Sequence, residues 1–261
     1  TLLPEEIPNL ENIEKVAASN YHSMALGKDG SVYTWGYNGN GQLGNGTTIS
    51  NSIPSKIRLT NITKIEAGEQ TSTAIDGDGN LYAWGYNGYG QLGNETTTNV
   101  YLPRKVLSLN NIVDVAVENG TIVAVNKNGE VLASGYNGYG NLGLGDTNTR
   151  TLPVKVQALE KITKIEASNV SSFAIDSNNK LWVAGYNGYG NLGDGTTSNR
   201  ATFTQNPILD EVADVSASPV NSTIALLLDG TVWGFGNNTY NALTNVGGAV
   251  PQQLTSEEGS L

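Results

Sequence analysis

Apolar and polar residues alternate with period two in short runs along this chain, and the runs return in a fixed order. Ile62-Thr-Lys-Ile-Glu-Ala-Gly68 sets Ile65 and Ala67 between polar Lys64 and Glu66, the pattern of a half-buried strand. Its equivalents begin at Ile13, Ile112, Ile162 and Val212. A second short strand follows, Ser72-Thr-Ala-Ile75, and its central alanine recurs as Ala25, Ala74, Ala124, Ala174 and Ala225. A residue kept small five times implies neighbouring layers so close that a larger side chain would overpack them. Asp/Asn/Gly clusters such as Asp76-Gly-Asp-Gly-Asn80 supply the positive φ of tight hairpins and lead into a third strand, Leu81-Tyr-Ala-Trp84. A proline-led apolar piece then closes each copy, as in Pro54-Ser-Lys-Ile57, Pro103-Arg-Lys-Val106 and Pro153-Val-Lys-Val156. Proline donates no ladder hydrogen bond, so each piece is expected to open an edge strand.

Between the third strand and the proline lies a glycine-rich landmark. Tyr37-Asn-Gly-Asn-Gly-Gln-Leu-Gly44 returns as Tyr86-Asn-Gly-Tyr-Gly-Gln-Leu-Gly93, Tyr136-Asn-Gly-Tyr-Gly-Asn-Leu-Gly143 and Tyr186-Asn-Gly-Tyr-Gly-Asn-Leu-Gly193, with a worn copy at Asn237–Thr244. The landmark leucines Leu43, Leu92, Leu142, Leu192 and Leu243 are 49, 50, 50 and 51 residues apart. Such a period means a propeller, solenoid or array. One domain over residues 1–261 is expected, with repeats at about 8–57, 58–106, 107–156, 157–207 and 208–254. The proline-led piece Leu3-Pro-Glu-Glu-Ile7 has no repeat before it, so it is expected to complete the sheet at the other end and close a ring.

Trp35-Gly-Tyr-Asn-Gly-Asn-Gly-Gln-Leu-Gly-Asn-Gly46 and Trp84-Gly-Tyr-Asn-Gly-Tyr-Gly-Gln-Leu-Gly93 resemble the signature of the regulator of chromosome condensation repeat. Ala17-Ala-Ser-Asn-Tyr-His-Ser-Met-Ala-Leu26 resembles the second signature of that family, with Ser19 in place of its usual glycine. The resemblance covers nearly the whole chain and implies an all-β fold, a β-propeller with one four-stranded blade per repeat. Seven blades are usual in the family; five repeats here are read as a closed ring of about five blades, the alternative being part of a longer propeller. The family's eukaryotic namesake is a nucleotide-exchange factor for a small GTPase that docks on chromatin with a basic tail, and no such tail occurs here. Its bacterial members include secreted inhibitors of serine β-lactamases, adhesins, effectors and scaffolds. Their contacts lie in variable loops, so the resemblance carries over no functional residue.

Charge narrows the partner class. Fourteen Lys plus Arg against 24 Asp plus Glu give a formal charge of −10, with no basic patch, so nucleic acid is not expected as a partner. No run approaches the ~18 apolar residues of a membrane span, and the amino terminus lacks a signal-peptide pattern, so a soluble chain without membrane insertion is expected. The absence of cysteine removes disulfides and thiolate chemistry and leaves the redox compartment open. An extracellular or cell-surface bacterial setting is expected, and the cytoplasm is compatible with the same composition.

Chemistry is weighed by subtraction. His22 is the only histidine, which limits a Ser-His-Asp triad or an imidazole metal site to that one residue. Its counterparts Thr71, Thr121, Ser171 and Ser222 point to a hydrogen-bonding role instead. Asp76, Asp78 and Asn80 start like a calcium loop, but Leu81 and Asn87 stand where that loop needs glycine and glutamate. Gly36 to Gly41 lacks the lysine and helix of a phosphate loop. No enzyme, cofactor or metal is expected. The candidate binding residues are the loop aromatics Tyr37, Tyr86, Tyr89, Tyr136, Tyr139, Tyr186, Tyr189 and Tyr240. Tyrosine offers a broad rigid face with a polar tip, as recognition surfaces need. The bland reading is that these rings pack between blades and cover the glycine backbone. A protein partner is the leading expectation; a lectin-like module, with tyrosine stacking on sugar and the neighbouring asparagine bonding its hydroxyls, is the alternative, and inhibition of a serine β-lactamase is a third.

Overall fold

The computed structural model describes residues 3, 5–118, 120–243 and 247–255. Among the described residues twenty strands form five four-stranded antiparallel meanders in chain order. The first sheet holds β1 (Ile13–Ala18), β2 (His22–Gly27), β3 (Val32–Gly36) and β4 (Asn51–Lys56). The second holds β5 (Ile62–Ala67), β6 (Thr71–Asp76), β7 (Leu81–Gly85) and β8 (Val100–Lys105). The third holds β9 (Ile112–Glu118), β10 (Thr121–Asn126), β11 (Val131–Gly135) and β12 (Arg150–Lys155). The fourth holds β13 (Ile162–Ala167), β14 (Ser171–Asp176), β15 (Leu181–Gly185) and β16 (Arg200–Gln205). The fifth holds β17 (Val212–Ala217), β18 (Ser222–Leu227), β19 (Val232–Gly236) and β20 (Gly248–Gln253). Among the described residues no helix is long and apolar enough to cross a membrane.

Period-two alternation puts one apolar face of each sheet on its successor. Met24, Leu26 and Val32 of the first sheet meet Ile62, Ile65, Ala74 and Trp84 of the second. Val123, Val125 and Val131 meet Ile162, Ile165 and Ala174, while Phe173, Ile175 and Leu181 meet Val212, Val215 and Ala225. The repeated alanine thus lies in each junction, as its constant size implied. Each large side chain buried there contributes about 1.5–3 kcal/mol. Backbone bonds stitch the same junctions, with the amides of Ile112, Ile162 and Val212 donating to the carbonyls of Gly79, Gly129 and Asn179 at 2.9, 3.1 and 2.8 Å.

Two expectations are corrected. Proline does not open the outer strand: Pro54, Pro103, Pro153 and Pro251 sit inside β4, β8, β12 and β20. They occupy the irregular stretch where register shifts against the third strand, for example between Thr34 and Gly36, and no ladder bond is missed there. Among the described residues no terminal strand completes the fifth sheet either. Residues 5–7 lie outside every strand, and the fifth sheet contains only its own four.

Burial shows the same opening. Val16 is 75% exposed, whereas its counterparts Ile65, Val115, Ile165 and Val215 are 8% exposed or less. Leu226 is 39% exposed where Leu26, Ile75, Val125 and Ile175 are buried. Replacement of Ile175 by alanine should therefore cost about 2–5 kcal/mol in chemical denaturation, and Leu226→Ala less than about 1.5 kcal/mol. Equal losses would mean that the fifth sheet is covered.

Candidate functional site

Each landmark loop is organised by its asparagine. Asn38, Asn87, Asn137 and Asn187 are fully buried. Their Oδ1 atoms accept the amides of Leu43, Leu92, Leu142 and Leu192 at 2.8–3.0 Å. The amide Nδ2 of Asn87 donates to the carbonyls of Thr96 and Thr98 at 2.9 and 3.1 Å, and that of Asn187 to those of Thr196 and Ser198 at 3.0 and 3.2 Å. One side chain therefore holds both limbs of a loop of about ten residues. In the worn fifth copy Asn238 keeps the bond from Leu243 at 2.9 Å. These asparagines are structural, so the sugar-binding partner assigned to them in the lectin reading is already committed.

The loop tyrosines divide by position. Tyr86, Tyr136 and Tyr186 fold back over their own loops: a Cβ added to Gly88, Gly138 or Gly188 would lie 2.1–2.2 Å from the phenol oxygen. Burial pushes the phenols of Tyr86 and Tyr136 above the ordinary value, aided by the neighbouring tyrosine, so they remain donors at neutral pH. Tyr89 reaches the next sheet and covers Gly120.

Together these rings make one continuous ladder. Centroid separations run 5.9, 5.1, 6.2, 5.1 and 6.1 Å through Tyr86, Tyr89, Tyr136, Tyr139, Tyr186 and Tyr189, with tilted or edge-to-face planes. Such pairs add about 0.5–1.5 kcal/mol beyond burial and fix ring orientation. Tyr89, Tyr139 and Tyr189 still present 38%, 39% and 50% of their surface to solvent.

Tyr37 and Tyr240 lie outside this ladder. In the first repeat Asn40 stands where the others have tyrosine, bonding Gln70 and Asn99 at 2.7 and 3.0 Å, so Tyr37 pairs instead with Tyr21 at 5.8 Å. In the fifth, Asn237 replaces the inner tyrosine and Tyr240 is 75% exposed. Tyr21 is an exposed aromatic that the repeat pattern does not single out, since no other repeat carries tyrosine there.

His22 is buried between the first two sheets, sharing hydrogen bonds with Ser19 at 3.0 Å and with Ser72 of the next sheet at 2.7 Å. Burial lowers its pKa to about 4, so it is a neutral link across a junction. The Asp76 carboxylate is spent on its own hairpin, accepting from the amides of Asp78 and Asn80 at 3.0 and 2.9 Å. Among the described residues no group of three or more His, Cys, Asp or Glu side chains is placed to hold a metal ion.

The first strands of the sheets surround an axial cavity of about 650 Å³ lined by Lys64, Glu66, Asp114, Glu118, Lys164, Glu166 and Asp214 among others. Lys64 pairs with Asp114 and Lys164 with Asp214 at 3.2 Å. Turn residues Asn20 and Pro219 also line it. Neighbouring residues of the first-to-second-strand turns, Tyr21, Gln70, Gly120 and Val170, accept the amides of Tyr37, Tyr86, Tyr136 and Tyr186. Cavity and tyrosine ladder therefore meet at one end of the molecule. Burial pushes the carboxyl of Glu118 up to about 7, helped by Glu69, and that of Glu166 likewise up to about 7, helped by Glu66 and Asp214.

A model of the RCC1-like domain matches residues 1–219, and one of the regulator of chromosome condensation (RCC1) repeat matches residues 212–242. The chain belongs to the RCC1-like domain family. The crystal structure of human WBSCR16 is similar over 94% of this chain and 67% of its own, with TM-score 0.82 and 19% identity. Prp20p of Saccharomyces cerevisiae, described with its binding properties to Gsp1p and histones, is similar over 94% of this chain and 63% of its own, with TM-score 0.81 and 20% identity. These likenesses establish the propeller fold of the RCC1-like chain. The mitochondrial RCC1 domain-containing protein RUG3 of Arabidopsis thaliana is 38% identical over 56 residues, 21% of this chain and 13% of its own length. The probable human E3 ubiquitin-protein ligase HERC6 is 41% identical over 58 residues, 21% of this chain and 6% of its own. The matches thus span small parts of these curated relatives.

The cavity carboxyls set a pH dependence. Their folded values lie above the ordinary 4.5, so the folded chain holds extra protons between about pH 4.5 and 7, and their contribution to stability falls as pH rises through that window. Glu166→Gln should leave Tm unchanged near pH 4.5 and raise it at pH 8 in thermal scans, since glutamine still accepts from the Ala217 amide. An equal shift at both pH values would show that the carboxyl is not desolvated.

Proposed function

We propose that this RCC1-like propeller is a non-enzymatic scaffold that docks a protein partner on its tyrosine ladder. The observation that carries the reading is the row of six rings across three blades, held by buried asparagines yet with its outer members exposed. Rings locked in place lose little conformational entropy on binding, which makes tyrosine an effective anchor at interfaces. Support also comes from Prp20p, for which binding to Gsp1p and histones is described, and from the structure of Kap60 bound to yeast RCC1 (Prp20). Inhibition of a serine β-lactamase would be a special case of the same docking. A sugar stacked on the ladder would have to find its hydrogen bonds elsewhere than in the committed asparagines. An extracellular or cell-surface setting is part of this proposal, and the cysteine-free composition is compatible with it.

Affinity capture from the native source, followed by titration of the captured protein, tests the reading. Replacing Tyr89, Tyr139 and Tyr189 together by alanine should weaken partner binding at least about tenfold. Tyr240→Ala, outside the ladder, should leave it unchanged. A triple variant that keeps both its Tm and its full affinity would remove the ladder from the account.

A further inference from the structure

The outer strand of the second blade departs from its counterparts, and the departures gather on one surface. By strand register Tyr101 takes the place of Ser52, Thr151, Ala201 and Ala249, and Arg104 that of Ser55, Val154, Thr204 and Gln252. Two residues past the strand, Leu107 stands where the other blades have Arg58, Gln157, Pro207 and Thr255. With Leu102 and, from the third blade, Leu152, these side chains line a groove of about 830 Å³ that follows β8. That strand is the last of its sheet, so the groove runs along an edge about 20 Å long. Tyr101, Leu102 and Leu152 are 40–45% exposed and Leu107 is 81% exposed, an apolar strip of the kind that marks a contact surface. None of the ladder tyrosines lines it.

The charge of this groove opposes that of the chain. Arg104 and Lys105 share its lining with one carboxylate, Glu95, on a chain of net charge −10. Among the described residues neither cation has an ion pair or a side-chain hydrogen bond. At the position of Lys105, Lys155 in the third blade is held by Glu130 at 2.5 Å and Lys56 in the first lies 3.9 Å from Asp29. In the second blade Asn80 stands in the place of Glu130 and spends its amide on Asp76 at 2.8 Å. The Tyr101 ring, by contrast, is already fixed: a Cβ added to Gly41 would lie 2.3 Å from its Cδ1, and the Tyr101 carbonyl accepts the Gly46 amide at 2.9 Å. A ring set in place beside two uncommitted cations costs little to order on binding.

We propose that this groove docks an extended acidic peptide segment of a protein partner, its aliphatic side chains on Tyr101, Leu102 and Leu107 and its carboxylates on Arg104 and Lys105. The site is separate from the tyrosine ladder and does not depend on it. The flat fork of a guanidinium takes a carboxylate with two parallel hydrogen bonds, and the apolar strip removes water from beside that pair. Opposite charge then selects the partner and steers its approach, while the apolar contacts hold it. A nucleic acid would find the same two cations but an apolar floor beneath them, on a chain whose net charge repels phosphate.

The test is a phage library of random linear peptides of about twelve residues, long enough to span β8. It is first depleted on the Arg104→Ser/Lys105→Gln double variant and then selected on the unaltered chain. Each substitution installs the residue that another blade carries at that place, Ser55 or Gln205, so the blade keeps its fold. Retained peptides should carry Asp or Glu beside Leu, Ile or Val. In fluorescence anisotropy the double variant should bind a labelled retained peptide at least about tenfold more weakly, and Tyr101→Thr at least about threefold, both with Tm unchanged. The Tyr89, Tyr139 and Tyr189 triple-alanine variant should bind that peptide as tightly as the unaltered chain, so groove and ladder stand or fall separately. A selection that retains no peptide, retained peptides without acidic residues, or a neutral Tyr101→Thr, which would reduce the contact to charge alone, would each overturn the proposal. So would tighter binding of a labelled oligouridylate that the double variant weakens, because the groove would then serve nucleic acid.

Discussion

A buried asparagine in each of the first four repeats is the constraint on which the rest of the molecule hangs. Its carboxamide fills both ends of a glycine-rich loop that could not hold a shape by itself: Oδ1 takes the amide of the landmark leucine and Nδ2 takes carbonyls from the far limb. Removing either end would leave polar backbone buried without a partner, at about 1–3 kcal/mol for each group. With the loop fixed, the leucine enters the core, and the residue before it turns its carbonyl to the next blade. Gln42, for example, accepts there from Ser72 and Trp84 at 2.8 and 2.9 Å. The far limb reaches the neighbouring outer strand, where Gly145 and Gly195 donate to Ala201 and Ala249 at 2.8 and 2.9 Å. Local loop chemistry and blade-to-blade packing are thus one system.

The same constraint creates the surface. Because each loop is pinned from inside, its tyrosines are free of structural duty at their outer edges while their inner edges rest on glycine. The ladder then grows only where two consecutive tyrosine positions are filled, which happens in the second, third and fourth repeats. Beside it lies a cavity whose carboxylates are partly neutralised by Lys64 and Lys164. That end of the molecule is therefore aromatic with an acidic floor.

Strand positions, blade count and the packing role of Ala74 and its equivalents were legible in the sequence, because period-two alternation and a constant small residue are local signals repeated five times. The division of labour within Tyr-Asn-Gly-Tyr was legible only in part. Asparagine and tyrosine recur equally, and nothing in a repeat tells which side chain turns inward. Exclusion of Tyr37 and Tyr240 from the ladder was open to inspection in Asn40 and Asn237, which occupy the positions their ring partners would need. Closure was not legible. Whether Val16 and Leu226 are covered depends on the angle accumulated over four junctions, and a proline-led segment looks the same with or without a sheet to join.

Amide hydrogen exchange at the landmark leucines tests the central claim most directly. If buried asparagines hold the loops, the amides of Leu92, Leu142 and Leu192 exchange as slowly as those of the neighbouring β6, β10 and β14 strands. Exchange at the rate of exposed loop amides, with the strands still protected, would contradict the account.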